Sequence, residues 1–433
     1  MRFSRDVAAT FAARIALVGL GVASSVLTAR ALGPGGRGIL ATLGALAGIG
    51  LQLGNLGLHA SNTYQVSRDR KLLAPLWGNA RRTSWAVGAA LAVLTVALAL
   101  TVPPVLGGIR ISLLFLAVAC IPFQLLVLFG LNLLVGLERV PLFNALEVAF
   151  RGIGVGALFV ILVLLRGDVR WVLVLNLAVA AAGALVVARV LRGLVRESGG
   201  GSRADLALFR TSVGYGARAY AAALMAYLIV RSDMLLVNTL RGTSDAGIYS
   251  IAVQVADLIY LLPMSIGMVL FPRLARQGEG DPVFAMKVTR HTAFLLFLLC
   301  SAAALLARPA VALLYGPGFA PAVAALWWLL PGIWAYGVSN QIATQLASSG
   351  MPLSAVLIWI PPLLLNVVLN LLWIPRWGIN GASASSSVCY FLVLGLHLAL
   401  WRRRIRGSVG DALFLRRSDL QEIGNLAGIT GWS

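Results

Sequence analysis

Twelve runs of about 20 apolar residues, separated by short polar turns, dominate the 433-residue chain. They lie at 8–32, 39–64, 83–105, 111–135, 145–165, 171–191, 211–238, 247–272, 292–315, 323–347, 355–374 and 382–401. Each is long enough to cross the hydrocarbon core of a bilayer as a helix. Hydrophobic residues make up 59% of the chain and charged residues 12%, with a mean hydropathy of +0.89. No soluble domain of this length stays dissolved with such a composition, so an all-α polytopic membrane protein is predicted. After "MRFSRD" the first run stays apolar for longer than the core of a cleavable signal peptide, and is expected to be a retained helix.

The formal charge of +20 is almost wholly arginine, since Lys71 and Lys287 are the lysines. In such a chain basic residues set topology, and without a soluble basic domain nucleic acid is excluded as a partner. One set of loops carries Arg2, Arg5, "SRDRK", Arg81, Arg82, Arg139, the arginines from Arg189 to Arg210, "RLAR", Lys287, Arg290, "WRRRIR", Arg416 and Arg417. The opposite set carries only Arg37, Arg110, Arg166, Arg170, Arg241 and Arg376. The first set is therefore cytoplasmic, with both termini on that side. Cys120, Cys300 and Cys389 lie inside apolar runs and read as packing residues. His59, His291 and His397 have no ligand spacing. No metal or cofactor is expected.

The Gly/Ser-containing segment "RESGGGSRADLALFR" reads as a linker over 196–210. It divides the helices six and six, giving an N-terminal lobe 1–195, a C-terminal lobe 211–401 and a basic cytoplasmic tail 402–433. "ARALGPGGRGILAT" joins the first two helices of the first half, and "NTLRGTSDAGIYSIA" joins the first two of the second. Gly38-Ile39 matches Gly247-Ile248, with one residue of gap if Leu32 and Leu240 are aligned. Weak internal repeats of this kind mark secondary transporters, whose halves move about a central site.

Several stretches together resemble the oligosaccharide flippases of the polysaccharide-export branch of the multidrug/oligosaccharidyl-lipid/polysaccharide exporter superfamily. They are "ARALGPGGRGILA" with "LQLGNLGLHAS", "RSDMLLVNTLRGTSDAGIYSIAVQVADL" with "FPRLAR", "LLYGPGFAPAVAALWWLLPG" and "NVVLNLLWIPRWGINGASASSS". The resemblance runs to about Trp401; the tail has no counterpart in it. It implies a MATE-like fold of two six-helix lobes around a V-shaped cavity that opens alternately to each side. The implied cargo is a lipid-linked oligosaccharide on an undecaprenyl-pyrophosphate-type carrier, moved from the inner to the outer leaflet of the cytoplasmic membrane. Membrane lipids, and the polymerase and glycosyltransferases of the same pathway, are the implied partners.

Ionisable groups inside membrane spans mark functional sites. Here they are Arg14, Glu147, Arg151, Arg218, Arg231, Asp233, Asp257 and Arg308. Their basic excess suits an anionic cargo, because arginine offers phosphate a fork of donors and a charge that does not titrate away. Arg14, Arg151, Arg218 and Arg231 are thus the candidates for the pyrophosphate headgroup. Arg14 and Arg218 stand at similar depths near the cytoplasmic ends of their helices, where snorkelling to lipid headgroups is the alternative. Glu147 precedes Arg151 by the one turn that permits an ion pair. Asp257 falls within reach of Arg231, either as a structural ion pair or as a switch coupling transport to a proton or sodium gradient. Asp233 reads as an anchor at the outer end of its lobe, and Arg308 as interfacial. Asn366 and Asn370 read as interhelical hydrogen-bonding partners, and the Trp327, Trp328 and Trp334 group as an interfacial belt or a surface for sugars.

An enzyme acting on lipid-linked glycans needs carboxylates or a metal site on a sizeable outer loop. The outer loops are short, with Asp168 and Asp245 their acids, and "GPGGRG" lacks the P-loop spacing and lysine. A transporter is expected, driven by a proton or sodium gradient, the membrane potential or downstream consumption of cargo. Multidrug/cation antiport within the same superfamily is the alternative that fold alone does not separate.

Overall fold

A computed structural model describes residues 2–101, 106–197, 204–276, 282–348, 353–404, 410, 413 and 419. The described chain folds into α1 (Arg2–Asn55), α2 (Leu58–Arg68), α3 (Leu73–Thr101), α4 (Ile111–Val118), α5 (Cys120–Gly136), α6 (Val140–Phe159), α7 (Val169–Glu197), α8 (Leu206–Arg241), α9 (Thr243–Arg276), α10 (Pro282–Leu314), α11 (Ala322–Ser348), α12 (Leu353–Leu357), α13 (Ile360–Trp377) and α14 (Ile379–Arg404). Among the described residues, 11 helical stretches are long and apolar enough to cross a membrane. The first supplies two crossings. Its 54 residues would extend about 81 Å as a straight helix, far beyond a hydrocarbon core of about 30 Å. At Gly33 the backbone leaves helical geometry (φ 65°, ψ −175°), and Pro34 follows. Twelve crossings result, as the hydropathy predicts, in a multi-pass membrane protein.

The same backbone device recurs. Gly242 between α8 and α9 has φ 87° and ψ 177°, and Gly316 after α10 has φ 92° and ψ 175°. A Cβ makes this region inaccessible, so glycine is required where a helix must stop and reverse within one residue.

Several predicted boundaries are corrected. The second run does not continue unbroken to residue 64: Leu56 and Gly57 take left-handed conformations (φ 49° and 73°) between α1 and α2. The fourth run is interrupted at Ala119, the fifth ends in a π-helical turn at Val160–Leu164, and the eleventh is broken between α12 and α13. Arg81, Arg82, Lys287 and Arg290, read as loop residues, lie on helices that extend past the apolar runs. Apolar periodicity marks the bilayer-spanning part of a helix and is blind to its polar continuation.

Packing divides the chain into two compact units. Unit 1 comprises Met1–Ile251 with Val311–Pro321, and unit 2 comprises Ala252–Ala310 with Ala322–Ser433. The core of unit 1 is built from Leu43, Leu76, Trp77, Leu125, Phe129 and Val187, all fully buried. Residues 198–203 of the linker and most of tail 402–433 lie outside the described residues, but Asp205 pins the start of α8. Its backbone exchanges hydrogen bonds with the Asn79 side chain, and its carboxylate accepts from Leu208 N. In unit 2, α14 lies flush against α11: a Cβ on Gly332 would come within 2.5 Å of Ser387 Cα. The small residues of "GASASSS" allow this approach, and Ser387 Oγ donates to Trp328 O at 2.6 Å beside the Pro331 interruption.

Candidate functional site

In unit 1, α1 and α6 run side by side and share two polar contacts. Asn144 Nδ2 donates to Thr10 Oγ1 at 2.9 Å. One turn on, Arg14 Nη1 meets Glu147 Oε2 at 3.5 Å, with the guanidinium 6.0 Å from the Phe143 ring centroid. Glu147 thus pairs across the helix interface and not with Arg151, the partner its spacing permits. A helical side chain leans toward the N-terminus of its own helix, which carries Glu147 away from Arg151 and toward Arg14. Arg151 is exposed and has no hydrogen bond or ion pair among the described residues; its Nη2 would lie 3.9 Å from a Cβ on Gly21. The Arg14 side chain is 51% exposed and that of Glu147 32%. Such a pair adds little stability. Exposed guanidiniums within a span require water or an anion, not hydrocarbon. Two arginines against one carboxylate leave this groove with a net positive charge.

The other sequence candidates are placed as follows. The Arg218 side chain lies outside the described residues. Arg231 sits 6.0 Å from the centroid of the Tyr227 ring, one turn earlier on α8. Asp233 is buried; it accepts from Met234 N at 2.7 Å and from the Tyr249 hydroxyl, tying α8 to α9. Asp257 is half-buried on α9 and belongs to unit 2, whereas Arg231 belongs to unit 1. Also in unit 2, Arg308 stacks 5.1 Å from the centroid of Trp327. Asn370 Nδ2 donates to Asn366 Oδ1 at 3.0 Å, and Ser385 Oγ reaches Asn366 O at 3.3 Å, linking α13 to α14.

What sequence reasoning missed is the contact that the Gly33 corner makes with α9. A Cβ on Gly38 would fall 1.7 Å from Thr243 O, and one on Gly247 would fall 1.8 Å from Pro34 O. Gly33, Pro34 and Gly38 therefore match Gly242, Thr243 and Gly247 at one constant offset, and the gap introduced by aligning Leu32 with Leu240 is not needed. At that offset Arg14 corresponds to Ala223 and Arg218 to Ala9. The two arginines are thus five positions out of register, about 7.5 Å along a helix. Arg37, expected in an outer loop, instead donates to Thr28 Oγ1 at 2.9 Å and Ser250 Oγ at 3.1 Å. Arg30 caps the end of α10 through Leu314 O at 2.8 Å and Leu313 O. Ser25 and Tyr315 hydroxyls meet at 3.4 Å. The signal was a glycine four residues after a small residue or proline in both corners, the spacing that lets helix backbones touch.

Three solved structures share this fold. Lipid II flippase MurJ in its inward closed conformation superposes with a TM-score of 0.75 at 14% identity, covering 99% of this chain and 93% of that one. An inward-facing multidrug resistance MATE family transporter of the MOP superfamily gives 0.69 at 13% identity, covering 90% and 94%. The Vibrio cholerae MATE transporter VcmN in the bent form gives 0.62 at 13% identity, covering 93% and 98%. No curated protein sequence matches. The family model described as "Polysaccharide biosynthesis protein" matches residues 3–277, more than half of the chain. With its MurJ- and MATE-like fold, the chain belongs to the polysaccharide biosynthesis protein family.

Proposed function

We propose that the protein turns a lipid-linked oligosaccharide, carried on an undecaprenyl-pyrophosphate-type lipid, from the inner to the outer leaflet of the cytoplasmic membrane. It is a transporter for surface polysaccharide biosynthesis, with both termini cytoplasmic, that works by alternating access of its two repeat halves. The observation that carries this reading is the α1–α6 groove, where exposed Arg14 and Arg151 sit inside a span with one carboxylate between them. A pyrophosphate supplies the negative charge and forked acceptors such a groove lacks. A cationic drug meets net repulsion there. Asp257, Glu147 and Asp233 are the acids through which coupling to protons or sodium would run; the membrane potential is the alternative source of drive.

The test is binding of undecaprenyl pyrophosphate to the purified chain in lipid nanodiscs. The wild type is expected to bind it, and Arg14→Ala with Arg151→Ala to weaken binding about tenfold or more. Equal binding by wild type and double variant contradicts the reading. Binding of a lipophilic cation in its place favours the antiport alternative.

A further inference from the structure

From Tyr336 to its end, α11 is buried except at Asn340, Ala343, Thr344, Ala347 and Ser348. These fall on one helical stripe, and every one is small or polar. Lipid-facing stripes in the same unit look different: α13 exposes Leu364, Val368, Leu371 and Leu372. Asn340 and Thr344 are half-buried, their side-chain oxygens beside Gly267 of α9, and partly exposed amide and hydroxyl groups along a span belong against a polar space. Facing this stripe on α9 stands Tyr260, half-buried, whose hydroxyl accepts from Asn340 Nδ2 at 2.9 Å. Its ring is the outermost of an aromatic column: the Tyr260 and Tyr336 centroids are 4.8 Å apart, and Tyr336 lies 4.7 Å from the buried Tyr390. Asp257 precedes Tyr260 by three residues on the same helix face.

We propose that Tyr260, Asn340 and Thr344 form a carbohydrate subsite in unit 2. The inference rests on the lipid-linked-oligosaccharide reading and names the part of the cargo that this face takes. A pyranose presents an apolar C–H face, whose hydrogens suit the negative face of a tyrosine ring, and a rim of hydroxyls. Asn340 commits one amide hydrogen to Tyr260, which leaves its second amide hydrogen and Oδ1 for adjacent sugar hydroxyls. Thr344 donates to Asn340 O at 2.8 Å and retains its acceptor lone pairs. Backing by Tyr336 and Tyr390 holds the Tyr260 ring in place before any sugar arrives, which limits the ordering entropy on binding.

The experiment uses the full chain in nanodiscs and two probes: sugar-free undecaprenyl pyrophosphate, and the polyprenyl glycolipid pool extracted from host cells depleted of the protein. Asn340→Ala and Thr344→Val are each expected to weaken binding of the glycolipid pool, about tenfold when combined, and to leave sugar-free lipid binding unchanged. If both variants bind the pool like wild type, or lose both lipids equally, the subsite is wrong while the headgroup reading stands. If the wild type binds neither probe, the lipid-linked reading itself fails and the subsite falls with it.

Discussion

Gly38 and Gly247 each occupy the place where the other's helix would need a side chain to be absent. The carbonyls they approach, Thr243 O and Pro34 O, lie four residues before the partner glycine on its own helix. This reciprocity is what a local two-fold relation between repeated elements produces. It joins the opening helices of the two repeat halves within unit 1, and Arg30 and Arg37 add hydrogen bonds around it.

A methyl group at either glycine has nowhere to go, since its neighbours are backbone atoms. Gly38→Ala and Gly247→Ala are each expected to cost about 1–3 kcal/mol, the range for overpacking a tight contact. Gly44→Ala, with nothing within 4 Å of its Cβ, should melt like wild type. Thermal unfolding of purified variants checks this.

Gly33 separates strain from crowding. A Cβ there meets nothing within 4 Å, yet φ is 65°. Gly33→Ala is expected to lower stability by about 1–3 kcal/mol through backbone strain alone. A melting temperature equal to wild type would mean that the corner relaxes to another geometry.

Glu147 restrains Arg14. Glu147→Gln removes the carboxylate while keeping the shape, so affinity for undecaprenyl pyrophosphate should rise, and stability should change by less than about 1 kcal/mol because the pair is half-exposed. Lower affinity in this variant would show that Glu147 positions Arg14 and does not compete with the cargo for it.

Arg290 on α10 and Asp419 of the tail form a buried fork in unit 2, with Nη2 to Oδ1 at 2.7 Å and Nε to Oδ2 at 2.6 Å. Breaking one side strands the other charge, so Asp419→Asn should destabilise the chain by about 3–5 kcal/mol. Replacing both partners with apolar residues should recover most of that loss, as measured by the same melts.

The fold was largely legible because apolar run length reports bilayer crossing directly, and Gly33 and Gly242 announced their corners as glycines beside Pro34 and Thr243. Gaps in the reading came from geometry that spacing does not encode. Glu147 is equally compatible with Arg14 and Arg151 until the packing of α1 on α6 is known. Arg37 looked like a loop residue because its partners, Thr28 and Ser250, become adjacent only through the Gly38–Gly247 contact. The stripe on α11 was hidden because Asn340 and Thr344 are distinctive only once every other face of the helix is known to be covered.

Lipid-linked glycan is proposed to move past the Arg14 and Arg151 groove. The most direct test of that movement is the leaflet distribution of the glycolipid, read with a membrane-impermeant lectin or periodate probe in host cells that carry only the Arg14→Ala, Arg151→Ala chain. Full-length glycan accumulating on the inner leaflet, with the variant inserted at wild-type levels, is the expected result. Normal outer-leaflet glycan in those cells would contradict the account.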